Sequence, residues 1–560
     1  MKFPQISRSV LLASVLALTI AAYLQSFTHL FVLDDHDLLA RVIAMLHSPL
    51  DAWKTGSAFQ SYYRPVFLTT LYIDNLLFGD GATGYHVVNL CLHLLTVWAA
   101  FLLGERLFGN FRLAALAAFL FALHPTHTEN VSWISGRTDV LAALFGLLSI
   151  VAFHDSLTHN RRWSAWLSGG LFLLAINAKE VAVVVPALCL LLVVLKRWNT
   201  EPVETMAPAG RLGKGGPKNK RHQPARKKAA GAPWIAFGLY AAGLIMFMIM
   251  RSVVSHNVAA EPAFTGTEQW LNALRCTAMY IWHAVVGGGY EYIIVGWRIA
   301  DPQFNFALPF SDSDWIGIDA TVVAAVVLLG LAIRGKRPVT VFGLTGFFLA
   351  LVPALGFVPI QSIFAVRFLY LPSFFLIVAV IDLGRWVLAA AHRRALTVAA
   401  TGMAVAVGIW WGIATYLQDA NWRDDVTLMM SMKREASVSP AYYFTLGNGY
   451  RFRGEFMQAA NNFNSAATMY PEYFDAIYNY GACFLVLGQT HPEYYAQAID
   501  IFTHALSQFP GNVRLLLALG DAYLRSGDEI KARVNYSYAW GIERSPETRQ
   551  RMRMMNLPVE

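Results

Sequence analysis

The 560-residue chain is 56% hydrophobic and only 14% charged, with a mean hydropathy of +0.43. A soluble protein carries about a quarter charged residues, so a wholly soluble enzyme is excluded and a chain lying mostly in lipid is implied. The net charge of +8 is local: residues 196–231 hold ten Lys/Arg and two Asp/Glu, which leaves the rest neutral and argues against a nucleic-acid partner.

In chain order, the first apolar stretch spans 9–31 and ends in FVLDDHDLLA, which places Asp34, Asp35, His36 and Asp37 where the chain leaves the bilayer. Its apolar core is long and no small-residue cleavage site follows, so it reads as a retained span rather than a signal peptide. Further spans are predicted at 84–104, 113–124, 138–155, 163–178, 181–196, 233–253, 318–334, 339–358, 368–388 and 396–417, eleven in all, each near the ~20 residues that cross a bilayer except the short one at 113–124. Residues 197–232 read as a basic Gly/Pro/Lys loop. With the N-terminus cytoplasmic, this loop, Arg106 and Arg112, Arg161 and Arg162, Arg334 to Arg337, and Arg385 to Arg394 all fall inside, and these connections carry only basic residues. The stretch Trp270–Val286, with Arg275 and His283, would break that parity as a span and reads as an outer interfacial helix. Outer connections are then 32–83, 124–137 and 254–317, and the C-terminus lies outside. The four cysteines form no CxxC pair and suggest neither a disulfide framework nor a zinc site.

From about Asn421 the composition turns polar and repetitive. A 34-residue tetratricopeptide period beginning at Pro440 aligns Leu446, Gly447, Tyr450, Ala459, Phe463, Ala466 and Pro471. A second copy has Gly481, Phe484, Ala498, Phe502, Ala505 and Pro510, with about five extra residues near Gln489–Tyr494, and a third has Gly520, Tyr523, Ala532, Tyr536 and Ala539. Three such hairpins are about the minimum for a stable stack, whose concave face suits an extended peptide.

The outer connections mix acids, histidines and cations: the aspartates at 34, 35 and 37; Arg64, Tyr85 and His86; His124, His127, Glu129, Arg137 and Asp139; Lys179 and Glu180; Glu291 and Arg298; Arg367 and Tyr370. Any one of these is accounted for by a snorkelling side chain, but their convergence on one layer requires a polar cavity at the membrane surface. Arginine and lysine at headgroup depth suit a phosphate attached to a lipid tail, and a carboxylate beside them suits a general base. The chemistry implied is displacement of a lipid phosphate from an anomeric carbon by an alcohol. Adjacent residues on a helix end point about 100° apart, so one of Asp34 and Asp35 faces the reacting centre.

The segments LDD, YYRP, GYHVVNLCLH, HPTHTENVSWISGRTDVLAALF, AKEVAVVVPALCLL, VRFLYLPS and NWRDDVTL together resemble the transmembrane and tetratricopeptide-repeat O-mannosyltransferases, a group of GT-C polytopic glycosyltransferases. The resemblance covers nearly the whole chain. It implies inverting transfer of a sugar, mannose in the family, from a polyprenyl-phosphate carrier to Ser or Thr hydroxyls of an exported protein. It also implies Asp34 as the base with Asp35 beside it, Lys179 and Arg367 near the carrier phosphate, and Arg64, His127, Glu129 and Arg137 in shared motifs. His86 and Tyr370 complete the candidate donor-binding set.

The expected fold is therefore all-α: a polytopic GT-C membrane bundle over 1–417 and an α-solenoid of three repeats over 418–560, with the active site and repeats on the periplasmic or lumenal side. Three repeats are fewer than animal members carry, and the compact chain suggests a bacterial inner-membrane relative using undecaprenyl phosphate; the ER is the alternative. No metal cluster is evident, though paired carboxylates at Asp34/Asp35 leave a Mg or Mn ion open. Two other readings stand beside this one: a membrane-anchored repeat scaffold without catalysis, and a GT-C transferase acting on a glycan or lipid.

Overall fold

In the computed structural model of the chain, the described residues are 7–54, 62–200, 231–254, 267–287, 312–355, 364–391, 393–433 and 439–559, and they form helices and turns without a strand. Glu291, Arg298 and most of the basic loop lie outside them. They divide into two compact units: residues 7–30 with the described part of 34–420, and residues 31–33 with the described part of 421–559.

The first unit contains α1 (Arg8–Ala22), α2 (Asp35–Met45), α3 (Pro65–Phe78), α4 (Ala82–Phe108), α5 (Phe111–Ala122), α6 (Thr128–Ser132), α7 (Arg137–His159), α8 (Arg162–Ala178), α9 (Val185–Thr200), α10 (Ala232–Val254), α11 (Thr267–Val286), α12 (Asp312–Arg334), α13 (Pro338–Leu351), α14 (Tyr370–Ala390) and α15 (Arg394–Asp419). Every predicted span carries one of these helices. Six stretches are long and apolar enough to cross a membrane: Ala82–Phe108, Arg137–His159, Glu180–Trp198, Ala232–Val253, Val366–Ala390 and Arg394–Arg423. The chain is thus a multi-pass membrane protein.

Several predicted spans are shorter as helices. α1 stops at Ala22 and continues as a 3-10 turn over Leu24–Thr28. α13 stops at Leu351 because Pro353 cannot extend the helical ladder. α3 lies inside the predicted 32–83 connection, and its 14 residues are too few for a span. The segment predicted to lie in the interface forms the 20-residue α11. Within the bundle, a buried ladder of hydroxyls joins four helices: Ser149 and Ser168 bond each other, Tyr240 lies 2.5 Å from Ser168, and Cys189 lies 3.4 Å from Tyr240. Such bonds hold helices together where lipid offers no hydrophobic drive.

In the second unit Leu33 has a φ of +57°, and its N–H donates to Asp425 at 2.6 Å. The unit continues through α16 (Asp425–Ser431), capped by Asp424, into three hairpins: α17 (Pro440–Phe452) with α18 (Phe456–Met469), α19 (Phe474–Leu487) with α20 (Tyr494–Gln508), and α21 (Val513–Ser526) with α22 (Glu529–Ile542). Gly447, Gly481 and Gly520 sit where the two helices of a hairpin cross. A Cβ there would come within 2.8, 2.5 and 2.5 Å of the rings of Phe463, Phe502 and Tyr536. The extra residues of the second repeat form the turn between α19 and α20. α23 (Pro546–Met554) closes the stack, with Arg551 bidentate to Asp521 at 2.9 Å and the Tyr536 hydroxyl donating to the same carboxylate.

The bundle has two chemically different ends. At one, Arg8 pairs with Glu105, Arg106 with Asp155, the Lys196 ammonium donates to the Leu157 carbonyl, and Asn160 accepts from the N–H of Ala232. Arg337 and Thr340 likewise hold Asp382. These are the connections predicted to be cytoplasmic, but they are not purely basic: Glu105, Asp155 and Asp382 neutralise part of their charge. The other end is reached by following α4 or α7 to its opposite terminus, tens of ångströms away at 1.5 Å per residue.

Arg137 belongs to the packing of that other end. It is fully buried, its guanidinium 2.5 Å from Asp74 of α3 and from Asn89 of α4, and it donates further to Thr70 and to the Tyr85 carbonyl. Asp74 is itself 2% exposed. Arg137 therefore ties α3, α4 and α7 together. Removing one partner of a buried pair strands the other, at roughly 3–5 kcal/mol. Arg137→Met is accordingly expected to lower the thermal midpoint of the purified protein sharply, and adding Asp74→Leu to recover most of the loss. Thermal unfolding in detergent reads both.

Candidate functional site

At the end of the bundle opposite the basic pairs, the connections between helices carry ion pairs that join distant parts of the sequence. Lys179 follows α8 in extended conformation and sends its ammonium to both oxygens of Asp139, each at 2.7 Å. Asp139 lies in the first turn of α7. Arg64 precedes Pro65, which holds it out of helical geometry, and its guanidinium makes a bidentate pair with Glu180 at 2.6 and 3.1 Å. Arg367 lies in the 3-10 turn Val366–Leu369. Its guanidinium is 2.5 Å from Glu129 Oε1, its own N–H donates to Glu129 Oε2 at 3.1 Å, and its carbonyl accepts from Asn130 at 3.1 Å.

These pairs form one electrostatic cluster. Lys179 feels both Arg64 and Arg367, and its pKa is lowered chiefly by burial, with the two arginines adding to that and Asp139 opposing it. Phe368 lies beneath both the Lys179 ammonium (5.2 Å) and the Arg367 guanidinium (5.0 Å), and Trp133 flanks Arg367 at 5.7 Å.

Asp34 stands immediately before α2, half-buried. Burial raises its carboxyl above the ordinary aspartate range, the charges of Arg367 and Arg64 pull it down, and Asp37 pushes it up. Among the described residues, Asp34 is the one carboxylate of this cluster without an ion pair, while Glu129, Asp139 and Glu180 each hold a cation. Asp35 is different: it is 2% exposed, and its Oδ1 accepts from the N–H of Ser135 at 3.0 Å and its hydroxyl at 2.6 Å. Of the two predicted catalytic aspartates, Asp35 fastens α2 to the turn before α7. That turn also needs Gly136, where a Cβ would stand 2.5 Å from the Glu129 carbonyl oxygen.

The structure thus brings together Asp34, Arg64, Glu129, Lys179 and Arg367 from the predicted set, and adds Asp139 and Glu180 as their partners. Both additions stand in the HTENVSWISGRTD and AKE segments, at the same span ends as the cations. His86, His127 and Tyr370 take other places. His86 is fully buried, 3.4 Å from the Leu30 carbonyl and edge-on to His29. His127 is buried among His124, Phe121 and Tyr370, 2.9 Å from the Ser373 hydroxyl; burial holds its pKa well below the usual histidine value, so it is neutral. Tyr370 is 2.7 Å from His93 Nδ1 in the same aromatic cluster. For a divalent ion, no three His, Cys, Asp or Glu side chains converge among the described residues, and Asp35 turns to Ser135 instead of pairing with Asp34. The acidic pair does not fit a metal, and no step below runs through one.

Residues 64–209 match the family described as dolichyl-phosphate-mannose-protein mannosyltransferase, and residues 444–490 and 494–534 match tetratricopeptide repeats. Protein O-mannosyl-transferase Tmtc1 of Drosophila melanogaster is 34% identical over 208 residues, covering 34% of this chain and 24% of that one. Human protein O-mannosyl-transferase TMTC1 is 39% identical over 111 residues (19% and 13%), and human TMTC4 is 32% identical over 190 (30% and 26%). The matched regions span about a quarter of these relatives' length or less. Among solved structures, the Archaeoglobus fulgidus oligosaccharyltransferase in its apo form superposes with a TM-score of 0.41 at 12% identity, over 79% of this chain and 60% of that one. The family match falls on the segment that supplies Arg64, Glu129, Asp139 and Lys179, and the repeat matches lie C-terminal to it. Over these segments the chain is similar to the protein O-mannosyl-transferases, with tetratricopeptide repeats matched in its C-terminal part.

Proposed function

We propose that the chain transfers a sugar, mannose by its relatives' name, from a polyprenyl-phosphate carrier to Ser or Thr hydroxyls of exported proteins. The observation that carries this reading is the Asp34 carboxylate, without an ion pair among the described residues and within electrostatic range of Arg64 and Arg367, at one end of a membrane bundle. A soluble sugar nucleotide needs no such depth, whereas a donor with a lipid tail presents its phosphate at the level of the helix ends. Arg64, Lys179 and Arg367 are the groups to hold that phosphate.

In the proposed step, the acceptor oxygen attacks the anomeric carbon as the bond from that carbon to the phosphate oxygen breaks. The electron pair leaves with the phosphate, stabilised by the three cations, and the hydroxyl proton goes to Asp34. A single displacement of this kind inverts the anomeric centre. Asp35, bonded to Ser135, positions the start of α2 and through it Asp34. The end of the bundle that carries this cluster is the one opposite the basic connections, so by the positive-inside rule it faces the periplasm or ER lumen. The repeats offer the exported acceptor an extended surface.

Asp34→Asn keeps the shape and removes the base. Transfer of radiolabel from a polyprenyl-phosphate sugar to acceptor protein should fall by about 10²–10⁴-fold, with the thermal midpoint unchanged; transfer at the normal rate would show that Asp34 is not the base. The pH profile follows from the same residue. Asp34 must be deprotonated to act, and its pKa is raised, so kcat/KM should be full above that pKa and fall away as pH drops through it. The acid limb is therefore expected above the ordinary aspartate range, and it should vanish from the residual activity of Asp34→Asn.

A further inference from the structure

The three cation–carboxylate pairs of the cluster differ in how readily they can open. Lys179 and Asp139 are both 6% exposed at the side chain. Glu129 is 2% exposed and is held by the main-chain N–H of Arg367 as well as by its guanidinium. Arg64 and Glu180 are 19% and 21% exposed, and Glu180 stands one residue from Lys179, whose charge also acts on it. Arg64–Glu180 is the pair that can part at the least desolvation cost, and the released Glu180 carboxylate stays beside a cation.

The chemistry of the donor reading makes such a pair useful. A polyprenyl-phosphate sugar is a phosphodiester with one negative charge. Once the anomeric bond breaks, the carrier leaves as a monoester, whose second pKa of about 6 gives it close to two charges at neutral pH. A site with three cations free would hold the product more tightly than the substrate and stall. We infer that Glu180 is a release residue: it competes with the lipid phosphate for Arg64, yielding to the incoming donor and re-forming the pair to expel the more highly charged carrier. This rests on the proposed donor.

The test is binding, without sugar transfer. Undecaprenyl phosphate and its methyl ester, which carries one charge, are titrated onto the purified full-length chain in nanodiscs. Glu180→Gln should bind the monoester about fivefold more tightly, the worth of a part-exposed ion pair, and the methyl ester less so; the double variant Arg64→Gln/Glu180→Gln should lose that gain. A merely structural Glu180 would weaken both lipids alike, and that result, or an unchanged preference between them, overturns the inference. Glu180→Ala gives the same comparison should the glutamine variant misfold. If the unsubstituted protein binds neither lipid, the donor reading itself fails and this inference falls with it.

Discussion

A cation taken out of water must be paired, and at the end of a membrane bundle that requirement decides which segments can meet. Arg64, Lys179, Arg367 and Arg137 are each held by a carboxylate from a different part of the chain: Glu180, Asp139, Glu129 and Asp74. The pairs are therefore joints between helices as well as charges. They bind the start of α3 to the turn after α8, that same turn to α7, the 3-10 turn before α14 to α6, and α7 to the body of α3. Asp34 is the exception. It is half-buried, yet among the described residues no cation pairs with it, and that separates a candidate reactive group from the scaffold around it.

The balance within the cluster limits what can enter. Three cations face four carboxylates, counting Asp34 as ionised, so the site is close to neutral with nothing bound. An anion gains attraction only by sharing or displacing a carboxylate, and a ligand that offers little more than charge gains little. A phosphodiester with two unbridged acceptor oxygens can engage several donors at once, and a lipid tail keeps it at that depth. Under the proposed reading, specificity thus comes from matching donors and depth rather than from excess positive charge.

The sequence recorded depth along the helices well and direction around them poorly. Asp34, Arg64, Glu129, Lys179 and Arg367 were legible because all lie at span ends of the same parity, and the glycines at 447, 481 and 520 made the repeats legible by their period. Arg137, His127 and Tyr370 share that parity but face the helix packing, and nothing in their spacing separates a side chain pointing at a neighbouring helix from one pointing at an opening. Asp35 was inseparable from Asp34 until the turn containing Ser135 came to rest against it. α3 was hidden because PVFLTTLYIDNLLF is too short for a span and sits in a stretch that parity assigns to a connection. The inner acids escape for a related reason: Glu105 and Asp155 lie near the ends of α4 and α7 and Asp382 two turns inside α14, where counting charges by loop overlooks them.

Backbone regularity marks the same end of the bundle independently of charge. Three of the basic connections are short: residues 109–110, 160–161 and 335–337 pass directly from one helix to the next. The connections at the other end contain 3-10 turns at Pro125–His127, Glu180–Val184 and Val366–Leu369, and each carries a predicted site residue or its partner. Backbone that leaves the α-helical ladder near hydrocarbon keeps polar groups without helical partners, and it is tolerated where protein buries it or where it lines a cavity. Here the freed groups are used: the Arg367 N–H reaches Glu129, the Arg367 carbonyl takes Asn130, and the Ser135 N–H reaches Asp35. At the basic rim the ion pairs form between side chains alone, whereas here the irregular turns add main-chain groups that hold the carboxylates.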